Sequence, residues 1–444
     1  MKELAGWGRY PRHATELLEA SHPERIAPVL AQNTGLVARG NGRAYGDAAI
    51  GERMTLSIRG LDRMRSFDRS SGRITVEAGV LLSDIIETFL PLGFFPPVVP
   101  GTKHVTVGGM IATDVHGKNH HRDGGFGNHV ERLRLALPTG EPVECSPSLH
   151  PELFNATVGG MGLTGTIIDA TFRLKAIETG WLRQQTVVAA DLDAAMTALR
   201  ESDQSTYSVA WIDCLARGKA LGRSLIYTAE HATREDFAVF RPPGKLFPAA
   251  RGERLAAPMD LPGWVLRRPT VAAFNAVYFR RGASKAGDPF LVHWDPYFFP
   301  LDGVANWNRI YGRRGFLQHQ CVIPDAGAKT VLGELLDRVS RRGNASFLAV
   351  LKRLGGSFGT LAFPMQGYTL ALDMQVSDDV FALLDDIDKL VVAAGGRLYL
   401  AKDARQSRRT FEAGYPGLGR FRDIRRNIGA DRHIASRLSA RLAI

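Results

Sequence analysis

The sequence predicts an α+β fold in two parts, and three observations support this prediction. First, the 444 residues are 45% hydrophobic and 23% charged, an ordinary globular composition whose length suits two or three domains. Second, short β-type runs separated by glycine-rich turns fill residues 36–175. Third, residues 180–395 repeat the alternation of strands and helices with new content, and a basic, mostly helical tail follows them.

The first part contains five predicted strands and one clear helix. The strands are "GLVAR", "RMTLSI", "GRITVEAG", "RLRLALPTG" and "GTIIDATFRLK". The segment "LLSDIIETFLPLG" has apolar residues at helical spacing and ends on a glycine, which is typical of a helix and its C-terminal cap. These elements predict an α+β domain.

The second part predicts another sheet covered by helices. The segment "DLDAAMTALRE" is typical of a helix, and "YSVAWIDCLA", "SFLAVLKRLG" and "YTLALDMQV" are typical of strands. The basic segment from Arg267 to Phe290 is predicted to be a mobile loop, with contact to a membrane surface as the alternative. The tail is predicted to expose a solvated helical face that carries Arg405, Arg408, Arg409, Arg420, Arg422, Arg425 and Arg426.

Charge and cysteine content restrict the function classes. The formal net charge of +11 suits a partner that carries phosphate, whether nucleic acid, an anionic lipid surface or a phosphorylated small molecule. The three cysteines are odd in number and widely spaced, so we expect neither a disulfide framework nor a thiolate metal site. No signal peptide or transmembrane segment is recognisable, because the most apolar run, "TFLPLGFFPPVVPG", is short and contains four prolines. We therefore expect a cytoplasmic or peripherally membrane-associated protein.

Two glycine motifs are candidate nucleotide-binding sites. The stretch "GMGLTG", from Gly160 to Gly165, matches the dinucleotide fingerprint, but a strand-like run follows it where that fingerprint needs a helix. In "RGNGRAYGD", Gly40, Gly42 and Gly46 allow a tight turn whose amides form an anion-binding concavity suited to pyrophosphate. A plain glycine turn between two strands is the alternative interpretation of this second stretch.

A histidine-rich segment, "PGTKHVTVGGMIATDVHGKNHHRDGGFGNHV", contains five of the twelve histidines. A metal site formed by Asp114, His116, His120 and His121 is one interpretation. The intervening Gly117 and Asn119 disfavour the regular helix that would align these ligands, and we predict no metal.

The order of "RGNGRAYGD", "PGTKHVTVGGMIATDVHGKNHH" and "GGMGLTGTI" resembles the flavin domain of the vanillyl-alcohol-oxidase superfamily. The resemblance continues through "GWGRY", "AWID", "ANWNRIYGRRGFLQHQCVIP" and "GGRLYLAKDAR", and within the superfamily it points to the oxidases that act on a polyprenyl-phosphoryl ribose. It implies a two-domain FAD-binding fold: residues 1–178 form the FAD-binding domain, residues 179–396 a sheet-plus-helices substrate domain, and residues 397–444 return to the first domain.

The resemblance also implies the cofactor contacts. These are Ala38, Arg39, Gly40, Asn41, Gly42, Arg43, Ala44, Tyr45, Gly46, Asp47, Gly101, Thr106, Val107, Gly108, Gly109, Thr113, Asp114, Val115, His116, Ile168 and Tyr399. Many relatives link the flavin covalently to a histidine directly after the second glycine of the loop. Because that position is Arg43, we expect non-covalent FAD.

Oxidation of an alcohol by a flavin needs a base for the hydroxyl proton and positive charge near the ring. The resemblance implies an essential Lys402, with Tyr45 and Lys118 beside it as further catalytic residues. It places Lys352, Asp373 and Trp211 at the substrate. On a strand, Gln318 and Gln320 share one face, which suits either sugar hydroxyls or solvent.

The chain departs from that family on the substrate side. Ala371 stands where mycobacterial relatives have a cysteine, Thr369 where they have an asparagine, and Phe298, after Tyr297, where they have a tyrosine. The implied reaction is FAD-dependent oxidation of the 2-hydroxyl of a polyprenyl-phosphoryl-β-D-ribofuranose to the 2-keto sugar. It would begin epimerisation to the arabinose form, for arabinan and cell-envelope polysaccharide synthesis.

A separate NADH-dependent short-chain reductase would complete the epimerisation. The first alternative is a soluble aldonolactone or alditol oxidase with non-covalent FAD. The second is a flavin-binding or nucleic-acid-binding protein without catalysis. We predict peripheral membrane contact and no nucleic-acid partner.

Overall fold

The structure of the protein, a computed structural model, describes residues 1–140, 142–253, 255–343, 346, 348–356 and 358–444. Among these described residues, the first part contains three sheets and five short α-helices. Its elements are β1 (Lys2–Ala5), β2 (Arg12–Glu19), α1 (Ile26–Gln32), β3 (Leu36–Arg39), β4 (Met54–Ser57), β5 (Met64–Asp68), β6 (Arg73–Glu77), α2 (Leu82–Phe89), β7 (Phe94–Phe95), α3 (Val107–Ala112), α4 (His120–Asp123), β8 (Val130–Ala136), β9 (Val143–Cys145), α5 (Pro151–Thr157), β10 (Thr166–Arg173) and β11 (Lys175–Ala176).

The sheets of the first part enclose one core. Four strands pair in the order β1-β2-β4-β3, five in the order β5-β6-β10-β8-β9, and β7 pairs with β11. Seven of the eight residues of β10 are buried, because this strand lies in the middle of its sheet. All five predicted strands and the predicted helix at α2 are confirmed.

The second part is built on one large antiparallel sheet. Its elements are β12 (Trp181–Ala189), α6 (Leu192–Glu201), β13 (Tyr207–Ile212), β14 (Ser224–His231), α7 (Arg234–Phe240), β15 (Leu255–Ala256), α8 (Arg268–Ala283), β16 (Phe290–His293), α9 (Trp294–Phe298), β17 (Val304–Ala305), β18 (Phe316–Pro324), α10 (Ala328–Arg342), β19 (Ala349–Leu354), β20 (Gly367–Gln375), α11 (Asp378–Ala393) and β21 (Arg397–Leu398). The sheet order is β16-β12-β14-β13-β19-β20-β18-β21. The predicted helix at α6 and the predicted strands at β13, β19 and β20 are confirmed.

The two faces of this sheet meet different partners. Alternate residues such as Ala210, Leu351 and Leu370 join α6, α10 and α11 in a second hydrophobic core. The residues between them, such as Val209 and Lys352, line a cavity on the opposite face. The alternation of side chains along each strand therefore separates a structural face from a ligand-facing one.

The prediction of a mobile loop from Arg267 to Phe290 is wrong, because residues Arg268–Ala283 form the helix α8. The helix begins with a proline in its first turn, and of its residues only Val271 and Asn275 are buried. The Asn275 side chain donates a hydrogen bond to Asp213 Oδ1 (2.7 Å). A helix anchored by a buried polar side chain lacks the apolar stripe by which amphipathic helices are recognised, which explains the error.

The tail is helical, as predicted. It contains α12 (Arg408–Gly414), α13 (Leu418–Asn427), α14 (Ala430–His433) and α15 (Arg437–Leu442), and its apolar residues, among them Phe411 and Phe421, pack into the core of the first part. The prediction of a solvated arginine face is wrong for two members. Arg425 is buried and donates to the carbonyl oxygens of Leu163 and Ile434, and Arg405 pairs with the buried Asp388.

Among the described residues, no helix is both long and apolar enough to cross a membrane.

Candidate active site

A cavity of about 760 Å³ lies between the glycine loop of the first part and the open face of the large sheet. This volume is within the roughly 300–1,000 Å³ range of small-molecule and cofactor sites. The first part contributes the loop around Gly42, and the sheet contributes residues such as Gln320 and Lys352. The cavity therefore joins the predicted cofactor side to the predicted substrate side.

The glycine loop presents its backbone to the cavity. Gly42 adopts a left-handed φ of 64°, and a Cβ added to Gly40 would lie 2.1 Å from Thr106 Oγ1, so both positions favour glycine. The Tyr45 amide donates to Ala401 O (2.9 Å). In the described part of the chain, the amides from Asn41 to Ala44 donate to no protein acceptor. This run of free donors is suited to the pyrophosphate of FAD.

The second glycine motif is a turn before a strand. Met161 and Gly162 have φ of 55° and 73°, and β10 begins at Thr166. The prediction that a strand follows "GMGLTG" is thus confirmed. Met161, Gly162 and Gly165 nevertheless line the cavity, so this turn also lies beside the predicted cofactor position.

Arg43 occupies the loop position at which many relatives carry the flavin-linked histidine. Its guanidinium carbon lies 3.9 Å from the centroid of the Trp7 ring, a cation–π contact. A guanidinium does not form the bond that links imidazole to flavin, and non-covalent FAD stays our prediction.

Three half-buried lysines line the cavity, and each comes from a different segment of the chain. Lys118 follows α3, Lys352 lies on β19, and Lys402 follows β21. Burial and the nearby Lys352 lower the pKa of Lys118 to about 7, and burial lowers the pKa of Lys352 to about 8. Burial also lowers the pKa of Lys402, although Asp373 opposes that shift. Burial therefore favours the neutral form of all three amines, and an anion bound among them would favour their charged forms.

Lys402 contacts the glycine loop directly. Its Nζ atom lies 3.5 Å from the centroid of the Tyr45 ring. Burial raises the pKa of Tyr45 well above its ordinary value, so the phenol stays neutral. Asp373 lies behind Gln318, whose Nε2 atom donates to Asp373 Oδ1 (2.5 Å). Burial raises the pKa of this carboxyl group as well.

The two alternating glutamines are buried and line the cavity rather than facing solvent. Gln320 Nε2 lies 2.8 Å from His116 Nε2 and 3.2 Å from Thr369 Oγ1. Burial lowers the pKa of His116 well below its ordinary value, so the ring is neutral. A neutral ring that accepts the glutamine proton at Nε2 carries its own proton at Nδ1, and this atom has no partner among the described residues.

Most of the predicted site residues line the cavity. They are Ala38, Gly40, Asn41, Gly42, Arg43, Ala44, Tyr45, Gly101, Thr106, Gly108, Gly109, Thr113, Val115, His116, Tyr399, Lys118, Trp211, Gln318, Gln320, Lys352 and Lys402. The residues that do not line it are Arg39, Gly46, Asp47, Val107, Asp114, Ile168 and Asp373.

Several of these outlying residues support the site from behind. Arg39 donates to Ala5 O, and Ile168 O accepts the Ala78 amide. Asp114 accepts the Gly127 amide (3.0 Å). Their backbone neighbours rather than their side chains reach the cavity.

Asp47 belongs to a clamp around Arg441. The guanidinium donates to both carboxylate oxygens of Asp47 (2.9 and 3.2 Å) and to Asp403 Oδ2 (2.9 Å). It also donates to Gln406 O (2.8 Å). One arginine of the tail thus joins the cofactor loop to the residue that follows Lys402.

A set of cavity residues on the large sheet, on α8 and just after α8 was not predicted from the sequence. They are Gln184, Thr186, Val209, Tyr227, Tyr278, Arg281, Lys285, Phe290, Val292 and Val350. Strand alternation could have identified Val209 and Val350, because Trp211 and Lys352 lie two positions further along the same strands. No local pattern marks the residues of α8.

The histidine-rich segment does not gather ligands for a metal. Among the residues described, no group of three or more His, Cys, Asp or Glu side chains is arranged to hold a metal ion. His121 Nε2 contacts Ser205 O (2.9 Å), and His120 Nδ1 accepts the Gly355 amide (3.0 Å). These histidines hold neighbouring segments of backbone.

Comparisons with known proteins define the chain as an FAD-dependent oxidoreductase. Residues 20–146 match the family model "FAD binding domain". The chain is 34% identical, over 100% of its length and 98% of the relative, to decaprenylphosphoryl-β-D-ribose oxidase of Mycolicibacterium smegmatis. An uncharacterized protein of Streptomyces coelicolor is 35% identical over 82% of this chain and 100% of its own length.

L-Gulonolactone oxidase of Scyliorhinus torazame is 29% identical, but over only 37% of each chain. The full-length match is therefore the informative one, and the chain belongs to the decaprenylphosphoryl-β-D-ribose oxidase family of FAD-dependent, vanillyl-alcohol-oxidase-type enzymes.

Proposed function

We propose that the protein oxidises the 2-hydroxyl of a polyprenyl-phosphoryl-β-D-ribofuranose to a 2-keto sugar. The observation that carries this proposal is the convergence of Lys118, Lys352 and Lys402 at one cavity that also contains the glycine loop. A phosphate placed between Lys118 and Lys352 would favour their ammonium forms and would leave Lys402 as the neutral amine. A free sugar or lactone would supply no anion to offset the burial of these two charges.

The cofactor side of the cavity fits FAD. We propose that the free amides from Asn41 to Ala44 hold the pyrophosphate, and that Thr113, His116 and Tyr399 are among the residues around the flavin ring. Bound FAD supplies the acceptor for the hydride that leaves C2 of the sugar.

Lys402 is the proposed base. Its neutral amine takes the proton of the 2-hydroxyl as the C–O double bond forms, and burial favours that neutral form. The contact with Tyr45 fixes the position of the amine against the cofactor loop. Asp373, on the far side of Gln318, is the nearby carboxyl group that opposes the lowered pKa of Lys402.

The other side chains orient the substrate. Lys118 and Lys352 bind the phosphate, and Gln318 and Gln320 hydrogen-bond the remaining sugar hydroxyls. The buried Trp211 forms a wall of the cavity. Excluding water from this site strengthens each of these electrostatic contacts.

The product and the surface imply two partners. A 2-keto sugar becomes the arabinose epimer only after hydride delivery to the opposite face, so we propose a separate NADH-dependent reductase. A lipid substrate and a net charge of +11 suit peripheral contact with an anionic membrane from the cytoplasmic side.

The domain boundaries after residues 178 and 396 also remain our prediction.

Anaerobic flavin bleaching tests the proposed reaction. The purified protein is mixed without oxygen with a polyprenyl-phosphoryl ribose, with the matching arabinose compound, with L-gulonolactone or with an alditol. We expect the flavin absorbance to be lost only with the ribose lipid, and a 2-keto sugar to be recovered. Bleaching by the lactone or alditol, with none by the ribose lipid, would instead show a soluble-sugar oxidase.

A further inference from the structure

The cavity is longer than a sugar phosphate needs. Its lining residues come from β18, β20, β19, β13, β14, β12 and β16, which are consecutive neighbours in the sheet. Six strand spacings correspond to about 28 Å. Gln318, Gln320 and Lys352 lie at the β18–β19 end, so the proposed chemistry occupies one end only.

The other end differs in chemistry. Its side chains are mainly aromatic or branched, and we call this region the distal groove; it comprises Val209, Trp211, Tyr227, Tyr278, Phe290 and Val292. The Trp211 and Tyr278 rings lie 4.8 Å apart, and the Tyr227 and Tyr278 hydroxyls are 3.3 Å apart. The distal groove is therefore a mainly apolar surface, interrupted on β12 by Gln184 and Thr186, that begins where the proposed sugar site ends.

The helix α8 forms one side of the distal groove. Tyr278, Arg281 and Gly282 line the cavity at the i, i+3 and i+4 positions of one helical face, and Lys285 lines it from the turn after the helix. A Cβ added to Gly282 would lie 2.1 Å from Leu225 Cδ1, so the glycine lets the helix approach β14 closely.

The distal groove also opens outward beside exposed apolar residues. Tyr278 is 37% exposed and Val277 is 53% exposed, and the Tyr278 ring stacks on Phe274 at 5.8 Å. An apolar chain leaving the sugar site can therefore remain in contact with apolar side chains until it reaches the protein surface.

We infer that the distal groove binds the first isoprene units of the polyprenyl chain of the substrate. This inference rests on the proposed function, which supplies the occupant: an apolar chain attached through phosphate to the sugar. Continuity of the distal groove with the lysine end supports that occupant, because a chain bound there begins at the phosphate. The groove selects lipid-linked substrates, since a sugar phosphate without a chain leaves its aromatic surface in water.

A chain-length comparison tests the inference. Two phosphoryl riboses, one carrying a single isoprene unit and one carrying a long polyprenyl chain, are assayed in the same detergent. We expect kcat/KM for the long-chain compound to be higher by about tenfold or more. The Tyr278→Asp and Phe290→Asp variants are expected to reduce that long-to-short ratio to about one. A bound apolar chain would have to bury the new carboxylate, and burying an unpaired charge costs free energy.

The matched control is Leu149→Asp, which makes the same kind of change at a residue that is 45% exposed and outside the cavity lining. It is expected to keep the wild-type ratio. Flavin content and thermal unfolding are measured for each variant, and Tyr278→Ser replaces a variant that does not fold.

Each outcome bears on a distinct claim. A long-to-short ratio near one in the wild type, or variants that keep the wild-type ratio, would overturn the assignment of the polyprenyl chain to the distal groove and would leave the proposed reaction intact. Failure of both compounds to reduce the flavin would overturn the proposed function, and the groove assignment with it. A ratio that also collapses in Leu149→Asp would show a detergent effect and would likewise overturn the assignment.

Discussion

At the scale of single residues, the site combines cations whose charge is disfavoured with one carboxyl group whose charge is also disfavoured. Burial lowers the pKa of Lys118, Lys352 and Lys402 and raises that of Asp373. These shifts disfavour the charged forms of both the lysines and the aspartate. Because phosphate is an anion, its binding would raise the pKa values of the lysines that contact it. Lys402 can stay neutral as a base only if Lys118 and Lys352 take most of that charge.

Replacement of Lys402 tests this division of roles. Lys402→Ala is expected to lower kcat by about 10²- to 10⁴-fold, the usual contribution of a positioned base, with FAD content unchanged. Lys402→Arg is expected to be equally impaired, because a guanidinium stays charged. Steady-state kinetics with the ribose lipid measures both variants, and turnover of Lys402→Ala at the wild-type rate would remove Lys402 from the mechanism.

The pH dependence of the wild-type enzyme gives a second test of Lys402. Only the neutral amine accepts a proton, so kcat at saturating ribose lipid is expected to rise as the pH increases through the pKa of Lys402. Because burial lowers this pKa below its ordinary 10.5, the rise is expected nearer neutral pH. A rate that falls with pH over this interval would instead identify an acid that must stay protonated.

Arg43 leads to a prediction about the cofactor linkage. Because no histidine occupies this loop position, acid precipitation is expected to leave the yellow flavin in the supernatant, where chromatography identifies intact FAD. Colour that remained with the precipitate after extensive washing would mean that another residue forms a covalent link.

At the scale of elements, local sequence patterns were sufficient to predict a helix or strand where one face of the element is uniformly apolar or where a whole strand is buried. This describes α2, with its apolar face, and β10, with nearly every residue buried. The helix α8 was missed because its buried contacts are Val271 and a hydrogen-bonded asparagine, and most of its other apolar residues are exposed. Tertiary contacts decide such an element, and a sequence pattern does not reveal them.

The anchoring of α8 is open to a direct test. Asn275→Ala removes the hydrogen bond to Asp213 and leaves that buried carboxylate with one donor fewer, at a cost of about 1–3 kcal/mol. We expect faster hydrogen exchange across residues 268–283 and little change in the thermal unfolding midpoint, because the helix lies at the surface. The control Asn427→Ala alters an exposed asparagine and should leave this exchange unchanged; exchange in Asn275→Ala at the wild-type rate would contradict the anchoring role.

At the scale of the whole molecule, the site depends on segments far apart in sequence. Tyr45, Trp211, Lys352 and Lys402 all line one cavity. The glycine loop could be predicted from the sequence because its turn requirements are local. The remaining positions were predictable only through resemblance to a family, since no spacing rule relates β13, β19 and the segment after β21. Apart from Trp211, the residues of the distal groove were not predicted, because they belong neither to a turn with local requirements nor to the motifs that carry the resemblance.

Arg441 is expected to couple these distant segments. Arg441→Ala leaves Asp47 and Asp403 as buried carboxylates without their shared partner, which typically costs about 3–5 kcal/mol. We expect weaker FAD binding and a lower kcat together, because Asp47 ends the cofactor loop and Asp403 follows Lys402. Equilibrium flavin titration and steady-state kinetics measure the two effects.

Two further variants separate coupling from general loss of charge. Arg441→Lys should recover part of both properties, since it retains a cation but not the full set of hydrogen bonds. Arg432→Ala removes an exposed arginine of the neighbouring helix and should change neither. Loss of FAD affinity at the wild-type kcat per bound flavin would restrict the role of Arg441 to the cofactor loop.

The late position of Lys402 and Arg441 has a consequence for biosynthesis. A ribosome makes the glycine loop early and the lysine segment only near residue 402, and domains generally fold in the order in which they emerge. A nascent or prematurely terminated chain can therefore expose the loop but has neither the proposed base nor the arginine that joins the two segments. Such products would lack the complete redox centre. Cellular proteases and chaperones would therefore act on an inactive apoprotein rather than on an active oxidase.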